Sequence, residues 1–226
     1  MRLIKTIGAV TIIVIAIALT LGITAPHYPK RENRPSAFRE PVMALELVGS
    51  AAEGKAILDQ TSGGAVPITR TMYLDFGFIA GYALLYVLIS ILLARRNCPW
   101  AKYLAWVTAI CGLASAGFDV VENLGILKLI HAAQITDEMA NNTRDASLLK
   151  WTLGFVTIAL LALTFYALTK RAAWIGYAFT ATAIVGLAAL ILKPLLPLTF
   201  LPILFGQVWL AIVCLKWPAD LAMESR

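Results

Sequence analysis

The run SAGFDVVENLG, residues 115–125, places Asp119, Glu122 and Asn123 inside a stretch that is otherwise apolar. Carboxylates and an amide in such a place can hold or relay a proton, ligate a cation, or bind another buried polar group. At about 3.6 residues per turn, Asp119 and Asn123 share a helix face and Glu122 lies beside them. Gly112, Ser115 and Ala116 continue that face, and small residues let a neighbouring backbone approach closely. The acids are therefore expected to point into a helix bundle, because an ionised carboxylate facing hydrocarbon costs at least about 2.5–3.5 kcal/mol.

A second apolar run, YLDFGFIAGYALLY, carries Asp75, with Ile79, Tyr82 and Tyr86 on its face. Gly77 and Gly81 form a GxxxG on another face, suited to a second neighbour. Lys150 opens a later run at the level expected for Asp75, Asp119 and Glu122, and is their natural counter-ion. Three carboxylates around one lysine leave a charge imbalance. Either one acid holds its proton, or Lys128 or Arg144 joins, or a cation binds.

Three kinds of role suit this set. A Lys–Asp/Glu–Asn network can fix helix register with every group satisfied internally. The same cluster can hold a proton, an ion or a small polar ligand, with Tyr82, Tyr86 and Gln207 lining a path. Hydrolytic or transferase chemistry is the third and suffers from absences: the sequence has no HxxxH, HExxH or DxD spacing and no nucleophile elbow. Asp75, Asp119 and Glu122 supply few oxygens where hard cations take about six. No metal, cofactor or catalytic residue is expected, and the reading leans away from an enzyme.

The elements that must position these residues follow from composition. Hydrophobic residues make up 60% of the 226, charged residues 14%, and mean hydropathy is +0.79; soluble chains carry about a quarter charged residues. That composition indicates an all-α, polytopic membrane bundle. Six apolar segments are each near the roughly 20 residues that cross a bilayer: Ile7–Thr24, Tyr73–Ala94, Tyr103–Leu127, Trp151–Thr169, Ala172–Leu192 and Leu198–Leu215. Lys and Arg gather at alternate ends: Arg2 and Lys5, Arg95, Arg96 and Lys102, Lys170 and Arg171, and Lys216. The positive-inside rule then puts both termini in the cytoplasm and residues 25–71 outside. The net charge of +6 reads as topology rather than as nucleic-acid binding. Trp100, Trp106, Trp151, Trp174 and Trp217 fall near span boundaries as interfacial anchors.

Residues 1–24 are read as an N-terminal anchor or a signal sequence. An extracytoplasmic loop spans 25–71, a five-helix transmembrane bundle 72–217 and a cytoplasmic tail 218–226. The first span, featureless and apolar, is expected at the periphery. In the loop, Pro41 suits a first helical position, and Val42, Leu45 and Val48 recur at helical spacing. One short amphipathic helix is predicted there, lying on the membrane surface or capping the bundle, with a partner- or substrate-binding lid as the alternative. TSGGAVP makes a turn into the second span. Pro194, Pro197 and Pro202 break the outer end of the last span, and Gln207 near its middle is expected to bond a neighbouring helix. Cys98, Cys111 and Cys214 have no CxxC or metal-ligand spacing and read as reduced. His27 and His131 fall in or near outer loops.

Leu-Asp-Phe-x5-Tyr at Leu74–Tyr82, Asp-x-x-Glu-Asn at Asp119–Asn123 and the lysine at 150 together resemble a loose set of uncharacterised bacterial multi-pass membrane proteins. The resemblance covers roughly residues 72–169, implies no activity, and points to the same side chains. The combined expectation is a non-enzymatic component of the bacterial inner membrane, in contact with lipid and with other membrane subunits or a small ligand. A proton-coupled permease is the alternative, and a lipid-modifying enzyme a more distant one.

Overall fold

A computed structural model describes residues 1–29, 38, 40–95, 99–166 and 170–221. The linker from 30 to 37, Arg96, Cys98, Thr169 and the tail from 222 lie outside the described residues. The described chain is helical and contains no strand: α1 (Arg2–Thr24), α2 (Pro41–Glu46), α3 (Ala51–Gln60), α4 (Ala65–Ala94), α5 (Pro99–His131), α6 (Asp137–Tyr166), α7 (Lys170–Ile191) and α8 (Phe200–Lys216). A 3-10 segment, Lys193–Thr199, precedes α8, and another, Pro218–Asp220, follows it. Six stretches among the described residues are long and apolar enough to cross a bilayer: α1, α4, α5, α6, α7 and Leu195–Lys216. These are the features of a multi-pass membrane protein.

Several helices outrun the apolar spans that gave them away. Helix α4 begins at Ala65 rather than near Tyr73, entered through Gly63 and Gly64 at φ of 78° and 62°, a left-handed conformation that glycine adopts without a Cβ clash. Helix α6 begins at Asp137, so most of QITDEMANNTRDA is helical. Thr136 Oγ1 accepts from the Met139 amide at 3.2 Å, and Asp137 and Glu138 sit in the first turn, where a negative charge meets the unpaired amides. Hydropathy detects the part of a helix that crosses lipid. It is blind to polar turns beyond.

The chain forms two compact units. The first comprises Met1–Ala16, Ala80–Ala116 and Trp151–Arg226. Helix α1 contributes a narrow buried stripe of Ile4, Ile7, Gly8, Thr11 and Val14, the spacing of one helix face. Its contacts are close: a Cβ on Gly8 would lie 2.8 Å from Cys214 Cβ, and one on Gly81 would lie 3.0 Å from Val14. Gly77, the other half of the GxxxG, has nothing within 4 Å of its Cβ position, so the motif makes one close approach and not two. Gly112 faces the Tyr86 ring, Gly154 the Ser115 hydroxyl, and Gly186 the Phe155 ring. Such small-residue seats replace the hydrophobic driving force that lipid removes. Pro197 lies inside the 3-10 segment, where its missing N–H and fixed φ prevent a regular α-helix.

The second unit comprises Ile17–Ile79 and Gly117–Lys150. Here the single amphipathic helix expected after Pro41 is instead two. Helix α2 stops at Glu46, and Ser50 caps α3 by accepting from the Glu53 amide at 3.2 Å, while Glu53 Oε2 accepts from the Gly49 amide at 2.7 Å. Ser50-x-x-Glu53 is a start signal present in the sequence, and reading through it merged two elements. Met43, Ala44, Leu45, Leu47 and Val48 are all buried, with Val42 half-buried. That burial packs α2 into its unit, while α3 buries only Gly54 and Ile57. Asp137 Oδ1 accepts from the Ala51 amide at 2.7 Å, tying the start of α3 to the start of α6.

Candidate functional site

Helices α5 and α6 pair antiparallel in the second unit. Gly125 seats Thr143, Ser147 donates to Glu122 Oε2 at 2.6 Å, and Lys150 Nζ lies 3.3 Å from Asp119 Oδ1. Each step moves one turn along both helices, so the interface is a ladder of small and polar pairs. It is held together by hydrogen bonds and close contact rather than by apolar bulk.

Lys150 is the hub. Its ammonium lies 2.6 Å from Glu122 Oε2, 3.3 Å from Asp119 Oδ1 and 3.3 Å from Glu46 Oε2. The side chains are 10% exposed for Lys150, 1% for Glu122, 9% for Asp119 and 13% for Glu46. Lysine has three protons to donate, and three carboxylates surround it. Asn123, on the neighbouring face of α5, donates its Nδ2 to Asp75 Oδ2 at 2.7 Å and so attaches α4. One lysine thereby joins α2, α5 and α6, and one amide adds α4.

Asp75, Asp119, Glu122, Asn123 and Lys150 are thus brought together in one unit. Tyr82, Tyr86 and Gln207 belong to the other. Tyr82 and Tyr86 meet edge to face with centroids 5.5 Å apart, and Gln207 is half-buried on α8. Its side chain has no hydrogen bond among the described residues, which corrects the expected bond to a neighbouring helix.

Of the three ways to balance the charge, the structure does not use Lys128 or Arg144. Lys128 is exposed, and Arg144 pairs with Asp145 at 3.6 Å. The additional partner is a fourth carboxylate, Glu46, rather than a second cation. If all were ionised, four negative charges would face one positive. Glu122 Oε1 is fully buried and has no hydrogen-bond partner among the described residues. Outside the spans, Glu40 is pushed above its ordinary carboxyl range by partial burial and then by the negative charge of Glu46.

Glu46 and Ser147 were not singled out from sequence. Glu46 carried a usable signal, since it is the one charge within the apolar run VMALELV. Ser147 lies three residues before Lys150, on the same helix face, and that spacing was also available.

Among the described residues no three or more His, Cys, Asp or Glu form a metal-binding group. His131 Nδ1 lies 2.8 Å from the Leu127 carbonyl, a bond within its own helix. Comparison with protein-family models, curated proteins and solved structures returned no match.

Proposed function

We propose that this chain is a non-catalytic, multi-pass component of the bacterial inner membrane. Both termini are cytoplasmic, the segment from 25 to 71 is extracytoplasmic, and α2 and α3 within it form a cap held for a partner subunit or a small ligand. The observation that carries the reading is the three-way grip of Lys150 on Glu46, Asp119 and Glu122. A charge cluster that also holds a cap is built to fix geometry. The basic residues at Arg2, Lys5, Arg95, Lys102, Lys170, Arg171 and Lys216 support the orientation. The close seating of α1 at Gly8 and Gly81 supports a retained anchor over a cleaved signal. The likeness of Leu74–Tyr82 and Asp119–Asn123 to bacterial multi-pass proteins supports the choice of membrane.

The test is Asp119→Asn, measured by membrane expression and by thermal unfolding in detergent. The fixing role predicts a clear loss of both. Unchanged expression and stability would contradict it.

One observation favours a second reading, a proton-coupled permease: Glu122 Oε1 lacks a partner in a cluster with excess negative charge. Proton flux into liposomes carrying the wild type, abolished in Glu122→Gln, would select that reading. Equal leakage from wild-type, variant and empty liposomes would reject it.

A further inference from the structure

In the first unit, α1 and α8 run antiparallel and meet where Gly8 faces Cys214 and Leu215. One to two turns further along α1 they part. Ile12 and Ile15 on one side, and Val208, Ala211, Ile212 and Leu215 on the other, leave a wholly apolar groove of about 300 Å³. Ile12 is 49% exposed, Val208 40% and Leu215 44%, so the groove opens outward along the surface of the two helices.

Lys216 closes one end of this groove. Its methylene stem forms part of the wall, which leaves the ammonium able to extend beyond it, the usual arrangement of a lysine at a membrane boundary. The Gly8–Cys214 contact brings the first turns of α1 to that same end, so the exposed Arg2 and Lys5 lie on the neighbouring turns. Asp220, the acid nearest in sequence, pairs with Arg171 at 3.3 Å. Among the described residues, no carboxylate pairs with Arg2, Lys5 or Lys216. The result is a groove of hydrocarbon character ending in positive charge that no carboxylate among the described residues pairs. That polarity is complementary to an anionic phospholipid, and basic recesses between membrane helices are recognised sites for such headgroups.

We infer that the α1–α8 groove binds one anionic phospholipid, with an acyl chain between Ile12, Ile15, Val208 and Ile212 and its phosphate at Lys216. The hydrocarbon walls hold the chain, and the lysine selects the headgroup. This site shares no residue with the Lys150 cluster.

Native mass spectrometry of the full chain in detergent tests it, with phosphatidylglycerol and phosphatidylcholine of identical acyl chains titrated separately. The wild type is expected to bind the first phosphatidylglycerol at least about fivefold more tightly than phosphatidylcholine, the factor that one near-surface lysine supplies. Lys216→Gln should lower phosphatidylglycerol affinity by about that factor and leave phosphatidylcholine unchanged. Ile12→Trp, which fills the groove from an exposed position, should weaken both lipids. Equal wild-type affinity for the two lipids overturns the proposal. So does wild-type phosphatidylglycerol binding in Lys216→Gln, or wild-type binding of both lipids in Ile12→Trp. Thermal unfolding of each variant in lipid-free detergent is expected to match the wild type.

Discussion

Replacing Lys150 by methionine keeps most of the side chain's length and removes its charge. Three carboxylates then lose their cation. Glu122 is the most enclosed at 1% exposure, with Asp119 at 9% and Glu46 at 13%. Glu122 keeps the Ser147 hydroxyl, one neutral donor where it had two. Removing one partner of a buried ion pair typically costs about 3–5 kcal/mol, mostly from the charge left behind. With two enclosed carboxylates stranded, Lys150→Met belongs at the upper end of that range. An interhelical hydrogen bond in a membrane averages only about 0.6 kcal/mol, so Ser147→Ala serves as the control for losing a contact to Glu122 without removing its counter-charge. In thermal unfolding in detergent, Lys150→Met should lower Tm by on the order of 10 °C, taking about 2–4 °C per kcal/mol for a chain of this size. Ser147→Ala should lower it by about 2 °C or less. Adding Glu122→Leu to Lys150→Met should recover part of the loss, because it removes the most deeply buried stranded charge. A Lys150→Met variant as stable as Ser147→Ala would refute the claim that the lysine neutralises the cluster.

Gly112→Ala would place a Cβ 2.6 Å from Tyr86 Cδ2. Overpacking of this kind costs about 1–3 kcal/mol, and pairing the change with Tyr86→Leu should restore the unfolding temperature. Gly77→Ala, which meets nothing within 4 Å, should leave Tm unchanged or slightly raised. Glu40 binds its proton more tightly in the folded chain than at its ordinary value of 4.5, so its ionised form is a penalty in the folded state. That penalty is full above the raised value and fades as pH falls to 4.5. Glu40→Gln should therefore be slightly more stable than the wild type at neutral pH, with the difference vanishing in acid. The effect stays small because the residue remains accessible to water.

Burial and charge cost made Asp75, Asp119, Glu122, Asn123 and Lys150 legible from sequence, because each is an expensive residue in an apolar run. The same logic reached the six long helices. It stopped short of Glu46, whose run lies in a loop too short to register as a span. Ser147 by itself carries no signal in the sequence, because a serine in a membrane helix is common and its meaning depends on what faces it. Of the three ways to balance the charge, only the recruitment of Lys128 or Arg144 fails, and a further acid, Glu46, comes from α2. Residue types report how costly a group is, and only the fold reports which elements come to share that cost. The break between α2 and α3 was readable from Ser50 and Glu53. It was obscured by the stronger apolar periodicity running through it.

The account rests on Lys150 joining the cap to the membrane helices through Glu46. A double-mutant cycle on Glu46→Gln and Lys150→Met, read as unfolding free energy in detergent, measures that contact apart from the rest of the cluster. Closely spaced charge pairs with little solvent give coupling energies of about 1.5 kcal/mol or more, and a value of that size is predicted. Strictly additive effects, with coupling within about 0.3–0.5 kcal/mol of zero, would contradict the account.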